Sequence, residues 1–526
     1  MPGSEPGGNL STLSDRLPDV MTPADRYEEA PRRVLAEAFA RLPHEPLALC
    51  VVTATKGGAV RAPGALMLID ENAERRGYMS GGCIDEDIAG HALRSLESGA
   101  PVQLTYGVGS PFIDMPLPCG GAIEILILPL AQTAPPAPSV ERLKTRRPLT
   151  LAAALEGLVP PMPESVDLSR YIYEPELRIR IAGRGADALA LARLARFANF
   201  DVLLQLIDEA DIRDATREGL SCERLTSPAN PPPVTDDQWT AFLLAFHDHE
   251  WETTLLTQAL AGPAFYIGAV GSPRTQDRRR QALAKAGLEP ALDRISGPIG
   301  LVPSQRDATK VAISAFAEIL QHASAPGLNL ARRTGVVLLA AGSGRRFADG
   351  DKLLAPYCDA PILARAAQHR HGAPFANGVA VVPNGATKRR EVLEQAGWSV
   401  VENPDAAQGK STSLRWALDT LSSKPEVEGA IILLGDMPNV RRDHLLALLA
   451  RAAETGRPVF TDVDGRAMPP AYIPRTAFAA LSEIEGDAGL LSVFDDDAFD
   501  RVPLDAFSAS DVDTVADLAA MTREKV

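Results

Sequence analysis

The sequence predicts an α/β protein: an N-terminal α+β domain, then two domains in which parallel strands alternate with helices. Three observations predict it. The 526 residues, 45% of them hydrophobic, allow about three cores at roughly 150 residues each. Strand-like runs between glycine-rich turns fill the first part. After each of two Pro/Ala-rich interruptions, apolar runs and helical periodicity alternate, as expected for a parallel sheet with helices on both faces.

The elements follow in order. Residues 1–27 are rich in Pro, Gly and Ser with no apolar core, which predicts a disordered tail rather than a secretory leader. A first domain over 28–130 opens with apolar residues at helical spacing between Arg32 and Leu42. Strands are expected at Leu47–Val52, Ala65–Ile69, Val102–Tyr106 and Ile123–Leu128. Residues 131–170 read as a linker, on the composition AQTAPPAPSV and PPMPE. The second domain, 171–322, has strands at Leu177–Ala182, Val202–Ile207, Ala241–Phe246 and Ala264–Ile267, with helices among and after them. Residues 323–333 form a second expected linker, and 334–526 the third domain.

Composition removes several function classes. The net charge of -15 disfavours sequence-independent nucleic-acid binding, which needs Lys and Arg to replace phosphate counterions. The five widely spaced cysteines form neither a disulfide framework nor a CxxC zinc pair. No apolar stretch approaches the roughly 20 residues of a membrane span. A soluble cytoplasmic protein with no membrane or nucleic-acid partner is expected, and a homodimer is compatible with it.

The third domain carries the clearest chemistry. Strand Gly335–Leu339 runs into Ala340-Ala341-Gly342-Ser343-Gly344-Arg345-Arg346, with Lys352 close behind. Such a turn lets backbone N–H groups approach a polyphosphate, and Arg345, Arg346 and Lys352 can neutralise it. The bland alternative is a solvated loop. Strand Ala430–Leu434 ends in Gly435-Asp436, where open α/β sheets bind ligands. Asp436 is either a hard ligand for Mg2+ or a helix cap. Asn403, Gly409, Ser411 and Ser413 lie in a polar loop leading to a helix, suited to a nucleotide or to ordinary capping.

LAAGSGRRF…DKLLAP, NPDAAQGKSTSL and LLGDMPNV together resemble the MobA-like nucleotidyltransferase family. The Ala340-Ala341-Gly342 sequence is similar to the CTP-using molybdenum cofactor cytidylyltransferases, where the guanylyl branch has a Gly-Gly pair. The resemblance implies that Ala341, Gly342, Ser343, Gly344 and Arg345, with Asn403, Gly409, Ser411 and Ser413, hold CTP. It implies Arg346 and Lys352 on the phosphates and Asp436 on Mg2+. Asp511 and Asp513 resemble a closing element of the family, with helix capping as the expected role and a second metal ligand as the alternative. One departure stands out: the family's Gly-His-Pro stretch reads Gly465-Arg466-Ala467-Met468-Pro469-Pro470 here.

The first two domains resemble the xanthine dehydrogenase accessory factor family, XdhC/CoxI. The residues that carry this are Ser80-Gly81-Gly82-Cys83-Ile84-Asp85, Cys119-Gly120-Gly121, Tyr266-Ile267-Gly268 through Gly271-Ser272, and Gly297-Pro298-Ile299-Gly300. Ala182-Gly183-Arg184-Gly185, with Asp208 about 25 residues on, is similar to a Rossmann turn and its ribose-binding acid. The family's Cys-x-Glu is shortened to Cys83-Ile84-Asp85. The resemblance implies binding of molybdenum cofactor by Gly81, Gly82, Cys83, Cys119, Gly183, Gly185, Asp208, Gly268, Gly271 and Ser272. It implies delivery to a molybdo-flavoenzyme client of the xanthine dehydrogenase type. Cys83 and Cys119 could meet the molybdenum, but the preferred reading is small buried residues in tight turns, and His247 and His249 read as a polar strand end rather than a metal pair.

The combined expectation is a maturation factor that cytidylylates molybdopterin cofactor and delivers it. The alternatives are a chaperone without transfer activity and a cytidylyltransferase for another phosphorylated acceptor.

Overall fold

A five-stranded antiparallel sheet organises the N-terminal unit of the computed structural model, residues 1–176. The structure describes residues 25–524 apart from 59, 108–120, 163–165, 247, 287, 343–346, 348–349, 359, 369–374, 425, 485 and 487–488. The expected N-terminal tail lies mostly outside the described residues. The strand order is Arg75–Gly77, Leu66–Asp70, Leu47–Lys56, Ala122–Leu130, Val102–Gly107. Strand Leu47–Lys56 is buried on both faces, because helices cover each side. Leu47, Leu49 and Val51 meet helix Pro31–Arg41 in one core. Ala48, Cys50 and Val52 meet helix Asp85–Ser98 in the other.

The stretch 131–170, expected to be a linker, is instead folded onto the first of these cores. Helix Ala137–Lys144 buries Leu143, and Leu149, Leu151, Leu155 and Leu158 join it. Arg32, itself buried, donates to the backbone oxygens of Arg142 and Arg147 at 3.2 and 2.8 Å. Prolines mark the turns of this segment; its leucines decide that it packs.

The second unit, residues 177–526, holds two large sheets and the small ladder Pro356–Tyr357/Ala360–Pro361 among its described residues. The first has six parallel strands in the order Cys222–Arg224, Asp201–Leu206, Arg178–Gly183, Thr240–Ala245, Tyr266–Ala269, Ile295–Ser296. Numbered in sequence this is 3-2-1-4-5-6, the doubly wound Rossmann order. Helix Gly185–Phe197 packs on one face with helix Ala308–Ala323. Helices His249–Ala261 and Pro273–Lys285 cover the other. Arg180 is a charge inside this sheet, 2% exposed. It donates from Nε and Nη2 to both oxygens of Asp236 at 2.7 Å and lies 3.8 Å over the Phe242 ring.

The second sheet has seven strands: Ser399–Asn403, Asn377–Pro383, Thr334–Leu339, Gly429–Leu434, Arg466–Pro474, Val459–Val463, Asp500–Pro503. The first four are parallel, and Arg466–Pro474 runs antiparallel to both of its neighbours. Residues 323–333, also expected to be a linker, contain helix Pro326–Ala331, which packs against helix Arg442–Thr455. Leu446 of the latter reaches the Rossmann core as well as its own. Among the described residues no helix is long and apolar enough to cross a membrane.

The buried Arg180–Asp236 pair gives a direct stability prediction. Arg180→Met leaves the fully buried Asp236 side chain uncompensated. Chemical denaturation will show a loss of about 3–5 kcal/mol, the usual consequence of breaking a buried ion pair from one side.

Candidate functional site

The carboxyl ends of four parallel strands line one edge of the seven-stranded sheet. Leu339 pairs in register with Val381 and Leu434, and Pro383 with Asn403. The segments beyond these ends are Ala340–Gly342, Gly435–Asp436 and the loop that starts helix Lys410–Ser422. This is where an open parallel sheet leaves helix N-termini and backbone amides free for ligands.

Three carboxylates and an ammonium meet at this edge. Lys352 Nζ lies 2.7 Å from Asp436 Oδ2 and 3.2 Å from Asp513 Oδ1. One oxygen each of Asp436, Asp511 and Asp513 fall within 4.8 Å of one another. The backbone places them: Val512 N–H donates to the Asp436 carbonyl at 3.0 Å. Burial pulls the Lys352 ammonium down, but Asp436 and Asp513 outweigh it and hold the group above the ordinary lysine range. Burial, then repulsion from Asp436 and Asp513, raises Asp511. A divalent cation bound to oxygen ligands relieves that repulsion, so the trio fits Mg2+ or a similar hard ion. Thr514 and Asp517 cap the start of helix Val515–Glu524: Asp517 Oδ2 accepts from Thr514 N–H at 2.7 Å, and Thr514 Oγ1 from Asp517 N–H at 3.2 Å, while oxygens of Asp511 and Asp513, expected as caps, gather with Asp436.

The loop before helix Lys410–Ser422 divides its polar groups between structure and ligand. Asn403, fully buried, donates from Nδ2 to Thr412 Oγ1 and Ser413 Oγ, each at 2.9 Å, while its Oδ1 accepts from Asp405 N–H at 2.8 Å. Its hydrogen-bonding capacity is largely spent on holding the loop. Gly409 sits at φ +130°, where a Cβ would lie 2.3 Å from the Gly486 carbonyl oxygen. Ser411 differs: it is 3% exposed, and its Oγ has no hydrogen-bond partner among the described residues. A buried hydroxyl left unpaired is costly unless a ligand satisfies it. Ala341 and Gly342 are described at the end of their strand. Ser343, Gly344, Arg345 and Arg346 lie outside the described residues.

The Rossmann turn is arranged differently from expectation. The Gly185 N–H, first in its helix, donates to Asp211 Oδ2 at 2.6 Å. A carboxylate of the chain thus takes the donor that a pyrophosphate would use. Asp208, expected to bind a ribose, faces Arg184 at 3.8 Å, and Arg184 also approaches Asp248 at 3.6 Å. Asp248 caps helix His249–Ala261 through Glu250 N–H. Gly183 serves packing: a Cβ there would meet the Ala245 carbonyl at 2.6 Å. Gly268 is buried within its strand, and Gly271 lies in the turn that follows. Ser272 caps helix Pro273–Lys285, its Oγ accepting from Thr275 N–H at 3.2 Å. His247, the His249 side chain and Cys119 lie outside the described residues.

In the N-terminal unit Gly81, Gly82 and Cys83 are exposed just before helix Asp85–Ser98. Asp85 is buried and holds their turn. Its Oδ1 accepts from Ser80 N–H and Ser80 Oγ–H, both at 2.9 Å, and from Met79 N–H at 3.3 Å. The shortened acid is therefore structural, and Cys83 alone of the pair Cys83–Asp85 is presented to solvent.

Comparison with known proteins matches three stretches of the chain. Residues 40–107 match the XdhC and CoxI family, 179–319 the XdhC Rossmann domain, and 336–502 the MobA-like NTP transferase domain. The molybdenum cofactor insertion chaperone PaoD of Escherichia coli is 32% identical over 279 residues, 52% of this chain and 81% of PaoD. A probable xanthine dehydrogenase component of Bacillus subtilis is 22% identical over 325 residues, 53% of this chain and 93% of that protein. A solved structure described as a xanthine dehydrogenase from Bacillus halodurans aligns at 19% identity and TM-score 0.43, covering 56% of this chain and 98% of its own.

His444 gives this region a pH dependence. It is buried in helix Arg442–Thr455, with Nε2 2.8 Å from Thr461 Oγ1. Thr461 donates in turn to the Pro470 carbonyl at 2.7 Å, so Nε2 carries the proton. Burial pushes His444 down to about 4. Below an unfolded value near 6.5 the unfolded chain takes up a proton that the folded histidine refuses. Stability will therefore fall as pH drops from 6.5 towards 4, and His444→Gln will flatten that part of the profile in thermal melts.

Proposed function

We propose a role for a chain that belongs to the XdhC and CoxI family and carries a MobA-like NTP transferase domain: it attaches a cytidylyl group to molybdopterin cofactor and hands the product to a molybdo-flavoenzyme. The observation that carries the reading is the Lys352–Asp436–Asp511–Asp513 cluster at the carboxyl edge of the transferase sheet. The company of the accessory-factor domains supports the acceptor, and PaoD bears the name of a molybdenum cofactor insertion chaperone.

In this reading a phosphate oxygen of the pterin attacks the α-phosphorus of CTP. The new P–O bond joins pterin phosphate to CMP, the α–β phosphoanhydride bond breaks, and pyrophosphate leaves with the electron pair. Such transfers ask the protein for position and charge neutralisation more than covalent chemistry. Asp436, Asp511 and Asp513 would hold Mg2+, which supplies charge neutralisation at the phosphates when bound. Lys352, held cationic by Asp436 and Asp513, adds a positive charge at the same edge. The Ala340–Gly342 turn offers backbone amides, and the unpaired Ser411 hydroxyl offers a donor at the start of helix Lys410–Ser422.

A second reading is binding and delivery without transfer. It draws on the name of PaoD and on the Arg466–Pro474 strand, which lacks the family's histidine.

Purified full-length protein incubated with Mg2+, CTP and molybdopterin cofactor will release pyrophosphate, and Asp436→Ala will lower kcat/KM by about a thousandfold, the scale of removing one electrostatic group from a transfer site. Cofactor binding with no pyrophosphate from the wild type supports the second reading instead.

A further inference from the structure

We infer that Arg389 is the positioning residue of the nucleotide site, acting through Asp351 and the Ala340–Gly342 turn; the inference rests on the transfer reading above. Arg389 lies in helix Thr387–Gln395, a polar segment with the sequence TKRREVLEQ. It is only 7% exposed. A guanidinium is expensive to bury unless its donors are matched.

The matching is specific. Nε donates to Asp351 Oδ2 at 2.7 Å and Nη2 to Asp351 Oδ1 at 2.8 Å, a bidentate pair. Nη1 donates to the carbonyls of Ala340 at 2.6 Å and Gly342 at 3.0 Å. One side chain therefore grips both ends of the segment 342–351. At the near end it holds the turn that leaves strand Thr334–Leu339. At the far end it holds the residue immediately before Lys352. Asp351 Oδ1 also accepts from Leu353 N–H at 3.1 Å and so caps the short 3-10 turn that carries Lys352.

Two consequences follow from peptide geometry. In a trans peptide the C=O and the next N–H point in opposite directions. With the Ala340 carbonyl turned onto Arg389, the Ala341 N–H points away from it, as an amide presented to a phosphate must. Lys352 is then delivered to Asp436 and Asp513 from an anchored turn rather than from a free loop. A hydrophobic residue at 389 could fill the same volume, but it could neither fix the carbonyls nor tie them to Asp351.

The test uses the full chain with Arg389→Met, Arg389→Lys, Asp351→Asn and the Arg389→Met/Asp351→Asn double variant. Hydrogen exchange without nucleotide, in peptides covering 340–353 and 377–383, reads the positioning directly. Exchange at 340–353 will accelerate in Arg389→Met while 377–383 keeps wild-type protection, and Arg389→Lys will restore part of it. With Mg2+, CTP and molybdopterin cofactor, Arg389→Met will lower kcat/KM for pyrophosphate release about a hundredfold, the scale of a site displaced by an ångström. The double variant will lose no more than Arg389→Met alone, because both changes break one linkage. Wild-type exchange at 340–353 in Arg389→Met overturns the inference, as do additive losses in the double variant. Accelerated exchange in a protein whose wild type releases no pyrophosphate supports the positioning role and counts against the transfer reading alone.

Discussion

The buried ammonium of Lys352 ties the transferase domain together. It reaches Asp436, 84 residues away, and Asp513, 161 residues away, and so ties the segment around Asp513 and the end of strand Gly429–Leu434 to the 3-10 turn Lys352–Leu354. Burial disfavours the charge on this lysine, Asp436 and Asp513 together outweigh that, and a third carboxylate, Asp511, leaves the cluster with an excess of negative charge. That excess is the property a metal-assisted phosphoryl chemistry needs. It exists only because the sheet delivers Asp436 and a return loop delivers Asp511 and Asp513 to the same edge.

The two sheets of the second unit treat their carboxyl edges in contrasting ways. In the transferase sheet the edge keeps, among the described residues, an unpaired hydroxyl at Ser411 and a surplus of carboxylate around Lys352. In the Rossmann sheet the chain's own carboxylates take up the first helix N–H and the nearby arginine, through Asp211, Asp208 and Asp248. Gly183 of that sheet allows close backbone approach to Ala245, and Gly268 makes room for the side chains of Ile299 and Tyr266. A ligand that uses the Gly185 N–H has to displace Asp211 from it.

Much of this was legible in the sequence, and the failures have physical causes. Strands buried on both faces, such as Gly429–Leu434 and Thr240–Ala245, stand out as apolar runs, and the motifs at their ends located Asp436 and Lys352. Ser399–Asn403, Arg466–Pro474 and Asp500–Pro503 escaped because polar residues and prolines break their pattern, and their partners rather than their propensities make them strands. Residues 131–170 and 323–333 look like linkers by their prolines, yet their leucines and short helices pack into cores. Asp511 and Asp513 stand just before helix Val515–Glu524 and so read as caps in the sequence; only the fold shows their oxygens gathered with Asp436. Arg389 was invisible: an arginine in TKRREVLEQ reads as a solvated face until the fold turns it inward.

The central claim is that the cluster around Lys352 serves transfer of a cytidylyl group, and following the α-phosphate tests it most directly. With CTP labelled at the α-phosphorus, Mg2+ and molybdopterin cofactor, the account predicts that the label moves into the pterin product while a γ-label leaves as pyrophosphate. An α-label that stays in CTP, or that appears only as free CMP, would contradict it.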